Sequence, residues 1–108
     1  GAVAEAAAEH GWNVRINDSL HSAVISAGAR LISHDKVTFK KLGGYSGAVS
    51  KLNAVKPLHG FMWRTYSPAS IDTCGIERRY FTEENAARID AMRCLIVEWK
   101  GAGYIDEI

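Results

Sequence analysis

Residues Val37–Lys56 read VTFKKLGGYSGAVSKLNAVK, and whether this stretch is helical decides what kind of domain the chain forms. Phe39 and Leu42 lie three apart, so one short helix over about residues 38–42 can turn both toward a core, capped by Asp35 or Thr38. Gly43-Gly44 can take the positive φ angles that end a helix. Ser46 is then expected to cap a second helix over about residues 47–55, its hydroxyl accepting from free N–H groups of the first turn. Ala48, Val49, Leu52 and Val55 share one side of that helix. Ser50, Lys51 and Asn53 fall toward the other, with Lys56 just beyond. Two short helices joined by a glycine turn, the second with a small, polar and basic outer face, describe a helix-turn-helix.

The run V-T-x-x-x-L-G-G-x-S-x-x-V-S-K-L-N resembles the helix-turn-helix in the N-terminal region of plasmid KfrA-type DNA-binding regulators. There a Thr opens a short helix, L-G-x-x-S makes the turn, and V/I-S-x-x-L begins the next helix. The pattern is also similar, with a shorter first helix, to the V-T…S-x-x-x-V-S-x-x-x-N of lactose-repressor-type regulators. Including Gly60–Arg64, G-F-M-W-R, it is similar to the small DNA-binding modules attached to homing endonucleases. These resemblances imply a DNA-binding fold over about residues 19–56, with the helix of residues 19–33 packed behind the helix-turn-helix.

Charge is distributed to match. The chain has 108 residues and a net charge of +1, yet Arg30–Tyr66 holds Arg30, Lys36, Lys40, Lys41, Lys51, Lys56 and Arg64 against Asp35 alone. This segment carries +6 and the remainder −5. A polyanion responds to such a local field, which the whole-chain sum conceals. A length of 108 residues with 47% apolar content predicts one domain, residues 1–108, with a single core. No apolar run reaches the roughly 18 residues of a membrane span. The start, AVAEAAAEH, carries Glu5 and Glu9 and lacks a basic leader, so the sequence predicts a cytoplasmic protein with Cys74 and Cys94 reduced.

Outside the central stretch, residues 2–9 are alanine-rich and helix-prone. Trp12–Ile16 alternates apolar and polar residues and reads as a short strand or a loop. Asp18 or Ser19 would cap a helix over about residues 19–33, whose apolar face is Leu20, Val24, Ala27, Gly28 and Leu31. Phe61–Tyr66, rich in aromatics, reads as a strand, and Tyr104–Ile108 as a last strand pairing with it. Residues 67–81 read as an irregular connection, with Arg78-Arg79 a second positive spot. Thr82-Glu83-Glu84-Asn85 opens a long helix over about residues 83–100, with a capping hydroxyl and two carboxylates at the positive end of its dipole. Ile89, Met92, Ile96 and Trp99 recur along it at three-four-three spacing, as core or as the seam of a homodimer.

No enzyme signature is present. His10, His21, His34 and His59 have no metal-binding spacing, neither Cys belongs to a C-x-x-C, and Cys94 beside Leu95 reads as a small core hydrophobe. Gly43-Gly44 with Lys40 and Lys41 lacks the order of a phosphate loop. The sequence thus predicts a helix-rich α+β fold: a helix-turn-helix at about residues 19–56, a β ribbon at about 60–66, and a C-terminal helix. The expected function is a small non-enzymatic protein of mobile DNA, a regulator or accessory factor without cofactor or metal, binding double-stranded DNA. Ser46, Ser50 and Asn53 are the base-edge or phosphate contacts, and Lys40, Lys41, Lys51, Lys56 and Arg64 supply charge. The alternative is a protein- or ligand-binding α+β domain whose aromatics Trp12, Phe61, Trp63, Trp99 and Tyr104 line a pocket or dimer surface.

Overall fold

A computed structural model describes residues 1–105, with the backbone alone at His34. Its elements are α1 (Ala2–Glu9), α2 (His21–Leu31), 3-10 turns at His34–Lys36 and Lys40–Leu42, α3 (Gly44–Asn53), α4 (Phe61–Tyr66), α5 (Ser70–Cys74) and α6 (Glu83–Gly101). Among the described residues there is no strand, so the α+β class and the β ribbon are overturned. Residues 12–16 are irregular, with Trp12 73% exposed. Residues 61–66 are helical, and of the expected final strand only Tyr104 and Ile105 are described, in a bend.

The chain gathers into two compact units, residues 1–38 and the residues from Phe39 onward, with the boundary inside the 19–56 stretch. In the first unit α1 packs on α2, and Arg30 meets Glu5 at 3.2 Å. That pair is solvent-exposed, so it contributes about 0–1 kcal/mol. Asp18 accepts from the Leu20 N–H at 2.8 Å, one turn ahead of α2, while α2 itself starts without the side-chain cap expected from Asp18 or Ser19. Ala27 is the buried residue of α2.

In the second unit α6 is the spine. It begins as its sequence predicts: the Thr82 hydroxyl accepts from the Asn85 N–H at 3.2 Å, with Glu83 and Glu84 in the first turn. Thr82→Ala removes that acceptor and is expected to cost about 1 kcal/mol, read as a lower urea midpoint with an unchanged m-value. The buried residues of α6 differ from the large-residue seam. Ala86, Ala87, Asp90 and Ala91 are buried in the half where α4 packs, and Trp99 is buried near the other end. The incoming chain runs close along this half: the Leu58 N–H donates to the Ala87 carbonyl at 3.0 Å, and a Cβ at Gly60 would lie 2.7 Å from Asp90 Cγ.

At the far end Trp99, Leu42 and Ala48 form the core, with Phe39, Leu52, Leu95 and Ile105 packed against it. Trp99 is therefore an internal residue of this unit. Ile96 is 41% exposed, and Ile89 and Met92 are half-buried, so the four do not form one outward seam. Cys94, expected in the core, is exposed, as is Cys74. The 67–81 connection is more ordered than its composition suggests. It contains α5, and Ser67 and Ser70 within it are fully buried and hydrogen-bonded.

Candidate nucleic-acid interface

The central stretch turns on backbone geometry. Phe39 adopts a left-handed conformation at φ 43°, the 3-10 turn Lys40–Leu42 follows, and Gly43 and Gly44 both stand at φ 81°. Two successive residues at such angles call for glycine, because a Cβ would meet the backbone. The first of the two expected helices is thus a single 3-10 turn. The second begins at Gly44, three residues earlier than expected, so Ser46 lies inside its first turn and no side chain caps it.

Packing against Leu42 and Trp99 fixes which face of α3 looks outward. Ala48 is buried and Leu52 half-buried, both packed with Leu42 and Trp99. Tyr45, Ser46, Val49, Ser50 and Asn53 are exposed. Val49, expected inward, is 37% exposed. Ser46, Ser50 and Asn53 recur at four and three residues, so the hydroxyls and the amide form one polar stripe, about one residue per turn of the helix.

The basic residues divide into two groups. Lys51 donates to the Leu42 carbonyl at 3.1 Å and Lys41 to the Gly103 carbonyl at 3.2 Å, so both ammonium groups brace the corner that carries α3. Lys40 and Lys56 are exposed, Lys40 on the 3-10 turn and Lys56 after α3. Lys56 also borders an open groove of about 230 Å³ lined by Val55, Leu58, Ala91, Leu95 and Glu98. Arg64 is exposed on α4. Of the Arg78-Arg79 pair, Arg78 donates to the Thr65 carbonyl at 3.2 Å and Arg79 is held by both carboxylate oxygens of Glu77 at 3.1 Å.

Sequence reasoning missed an aromatic edge on the same unit. Phe61 and Tyr66 meet edge-to-face at 5.8 Å, and Tyr66 and Tyr80 at 5.7 Å; Tyr80 is 73% exposed. His59 stacks flat on Trp63 at 3.9 Å. His59 precedes α4 and reaches Trp63 through the extended Gly60, a turn of the backbone that residue spacing does not reveal. Among the described residues no group of three His, Cys, Asp or Glu side chains is placed to hold a metal ion. No described helix is long and apolar enough to cross a membrane. The Asp35 carboxyl is held below its ordinary value, first by the Ser33 hydroxyl that bonds it, then by adjacent backbone N–H groups and Lys36.

No family model matches the chain, and no solved structure matches it. The chain is similar to two curated proteins. It is 31% identical over 109 residues to the type II methyltransferase M.FokI of Planomicrobium okeanokoites, a match covering 90% of this chain and 15% of that protein. It is 41% identical over 59 residues to the type II methyltransferase M.NlaIII of Neisseria lactamica, covering 55% of this chain and 16% of that protein. The chain thus spans about a sixth of the length of the curated relatives it matches.

Proposed function

We propose that the chain serves DNA modification as a duplex-binding helical module of a type II methyltransferase, contributing binding rather than the methyl-transfer chemistry. The observation that carries this reading is the 31% identity that extends over 90% of the chain to one such methyltransferase. The charge distribution supports it, since the segment with a net +6 includes the whole of α3. In this reading the helix-turn-helix-like corner is the contact. Ser46, Ser50 and Asn53 on the outer stripe of α3 meet base edges or phosphate; the Asn amide suits adenine, and Ser is permissive. Lys40, Lys56 and Arg64 meet phosphates and set the register without reading sequence. Lys41 and Lys51 brace the corner and add positive field. A role as a transcription regulator has no support from the relatives, both of which are methyltransferases.

The test is a titration of duplex DNA at several salt concentrations. Each phosphate contact contributes a slope of about 0.9 in log K against log salt. Lys40→Glu with Lys56→Glu is therefore expected to lower the slope by about 2 and weaken binding across unrelated sequences. An affinity indifferent to salt, or unchanged by the double substitution, would overturn the reading.

A further inference from the structure

The six residues of α4, FMWRTY, are poor helix formers by themselves. Aromatics and threonine favour extended backbone, and a helix this short does not hold in water without help. No side chain caps its N-terminus from within the local sequence. Nearly all of its end groups are nevertheless satisfied, one by its own C-cap Ser67 and the rest from elsewhere in the unit.

At the N-terminal end one carboxylate does the work. Asp90, 6% exposed in the middle of α6, accepts from the N–H groups of Gly60 at 3.1 Å, Met62 at 2.9 Å and Trp63 at 2.9 Å. One turn earlier the Leu58 N–H donates to the Ala87 carbonyl at 3.0 Å and lays the incoming chain along α6. At the C-terminal end the four last carbonyls are taken in order. The Ser67 hydroxyl donates to that of Trp63. Thr73 Oγ1 donates to Arg64 at 2.6 Å, the Arg78 guanidinium to Thr65 at 3.2 Å, and the Phe81 N–H to Tyr66 at 3.1 Å. Terminal helix groups normally fall to water or to local caps. Here they are clamped by residues that lie up to 30 positions away along the chain.

We infer that Asp90 is a positioning residue, which holds α4 helical from inside α6 and thereby fixes the stance of the exposed Arg64 toward DNA. This rests on the duplex-binding reading above and deepens it. A helix that offers a guanidinium to a phosphate depends on such a hold at both ends, because precision at a contact comes from the shell that supports it. Asp90 touches no DNA; its effect passes through Arg64.

The test compares salt-dependent duplex binding by the wild-type chain, Asp90→Asn, Arg64→Ala and the double variant, well below the unfolding temperature. Arg64→Ala is expected to lower the salt slope by about 1. Asp90→Asn should lower it equally, because Arg64 is no longer held, and the double variant should lose about 1 rather than 2. Thr82→Ala, which weakens α6 without touching α4, is expected to leave the slope unchanged and shows that lost stability alone does not move it. If Asp90→Asn does not fold, Thr73→Val frees the Arg64 carbonyl at the other end and should couple to Arg64→Ala in the same way. An unchanged slope in a folded Asp90→Asn, or losses that add in the double variant, would overturn the inference while leaving the binding reading intact. No salt-dependent binding by the wild-type chain overturns both.

Discussion

Trp99→Ala is expected to destabilise the second unit by about 3–5 kcal/mol, the usual cost of emptying a large buried aromatic site. Trp99 is 7% exposed and packs with Leu42, 1% exposed, and Ala48, 4% exposed. Three separate segments meet at this side chain: the 3-10 turn, α3 and the end of α6. Leu42 is the other large buried residue at this junction, and it cannot fill the space that the indole leaves. Natural domains have only about 5–15 kcal/mol to lose, so a change of this size reaches the whole unit. The measurement is the urea midpoint at equilibrium, with tryptophan-independent far-UV circular dichroism as the probe. Ile96→Ala is the internal comparison. Ile96 is 41% exposed, so its loss should cost well under half as much as that of Trp99. Equal costs for Ile96 and Trp99 would mean that the two share one buried seam, and the core described here would be wrong.

Gly47→Ala is expected to open the corner between the 3-10 turn and α3. A Cβ at residue 47 would lie 2.4 Å from the Leu42 carbonyl oxygen and 3.3 Å from its carbon. Both are backbone atoms, so no side-chain rotation relieves the clash, and the turn must move away from the helix. The same oxygen accepts from Lys51 at 3.1 Å, and Leu42 is itself core, so the displacement also strains that bond and the packing beneath it. Overpacking of this kind costs about 1–3 kcal/mol. Alanine elsewhere in a helix would instead stabilise it by up to about 1 kcal/mol over glycine. The sign of the change therefore decides the matter. A raised urea midpoint in Gly47→Ala would show that α3 does not press on Leu42. A lowered one should come with weaker DNA binding, because α3 carries Ser46, Ser50 and Asn53.

The outward stripe of α3 was partly legible from residue types. Ser46, Ser50 and Asn53 are exposed as their polarity implies, and Ala48 and Leu52 face inward. Val49 lies about 100° round the helix from Ala48, at the edge of the apolar stripe, and how far the packing against Leu42 and Trp99 extends over that edge is a tertiary matter. The lysines were legible as a charged block but not as individuals. That Lys41 and Lys51 reach backbone carbonyls depends on where Gly103 and Leu42 come to rest. Neither distance follows from spacing.

Local chemistry marks out α1 and the start of α6. A run of alanines forms the one, and Thr82, Glu83 and Glu84 cap and polarise the start of the other within a single turn. Such signals involve neighbours in the chain, so they act before any tertiary contact exists. Segment 61–66 is the opposite case. Its residues favour a strand, yet it is a helix, because Asp90, Thr73 and Arg78 from other segments, with its own C-cap Ser67, satisfy its ends. The hydrogen-bonding groups at the ends of so short a helix outweigh the small backbone preferences of six side chains. Their partners are brought into reach only when α6 and the 67–81 connection have packed. The same holds for the buried face of α6, where Ala86, Ala87 and Ala91 are covered in place of the larger residues that periodicity singles out.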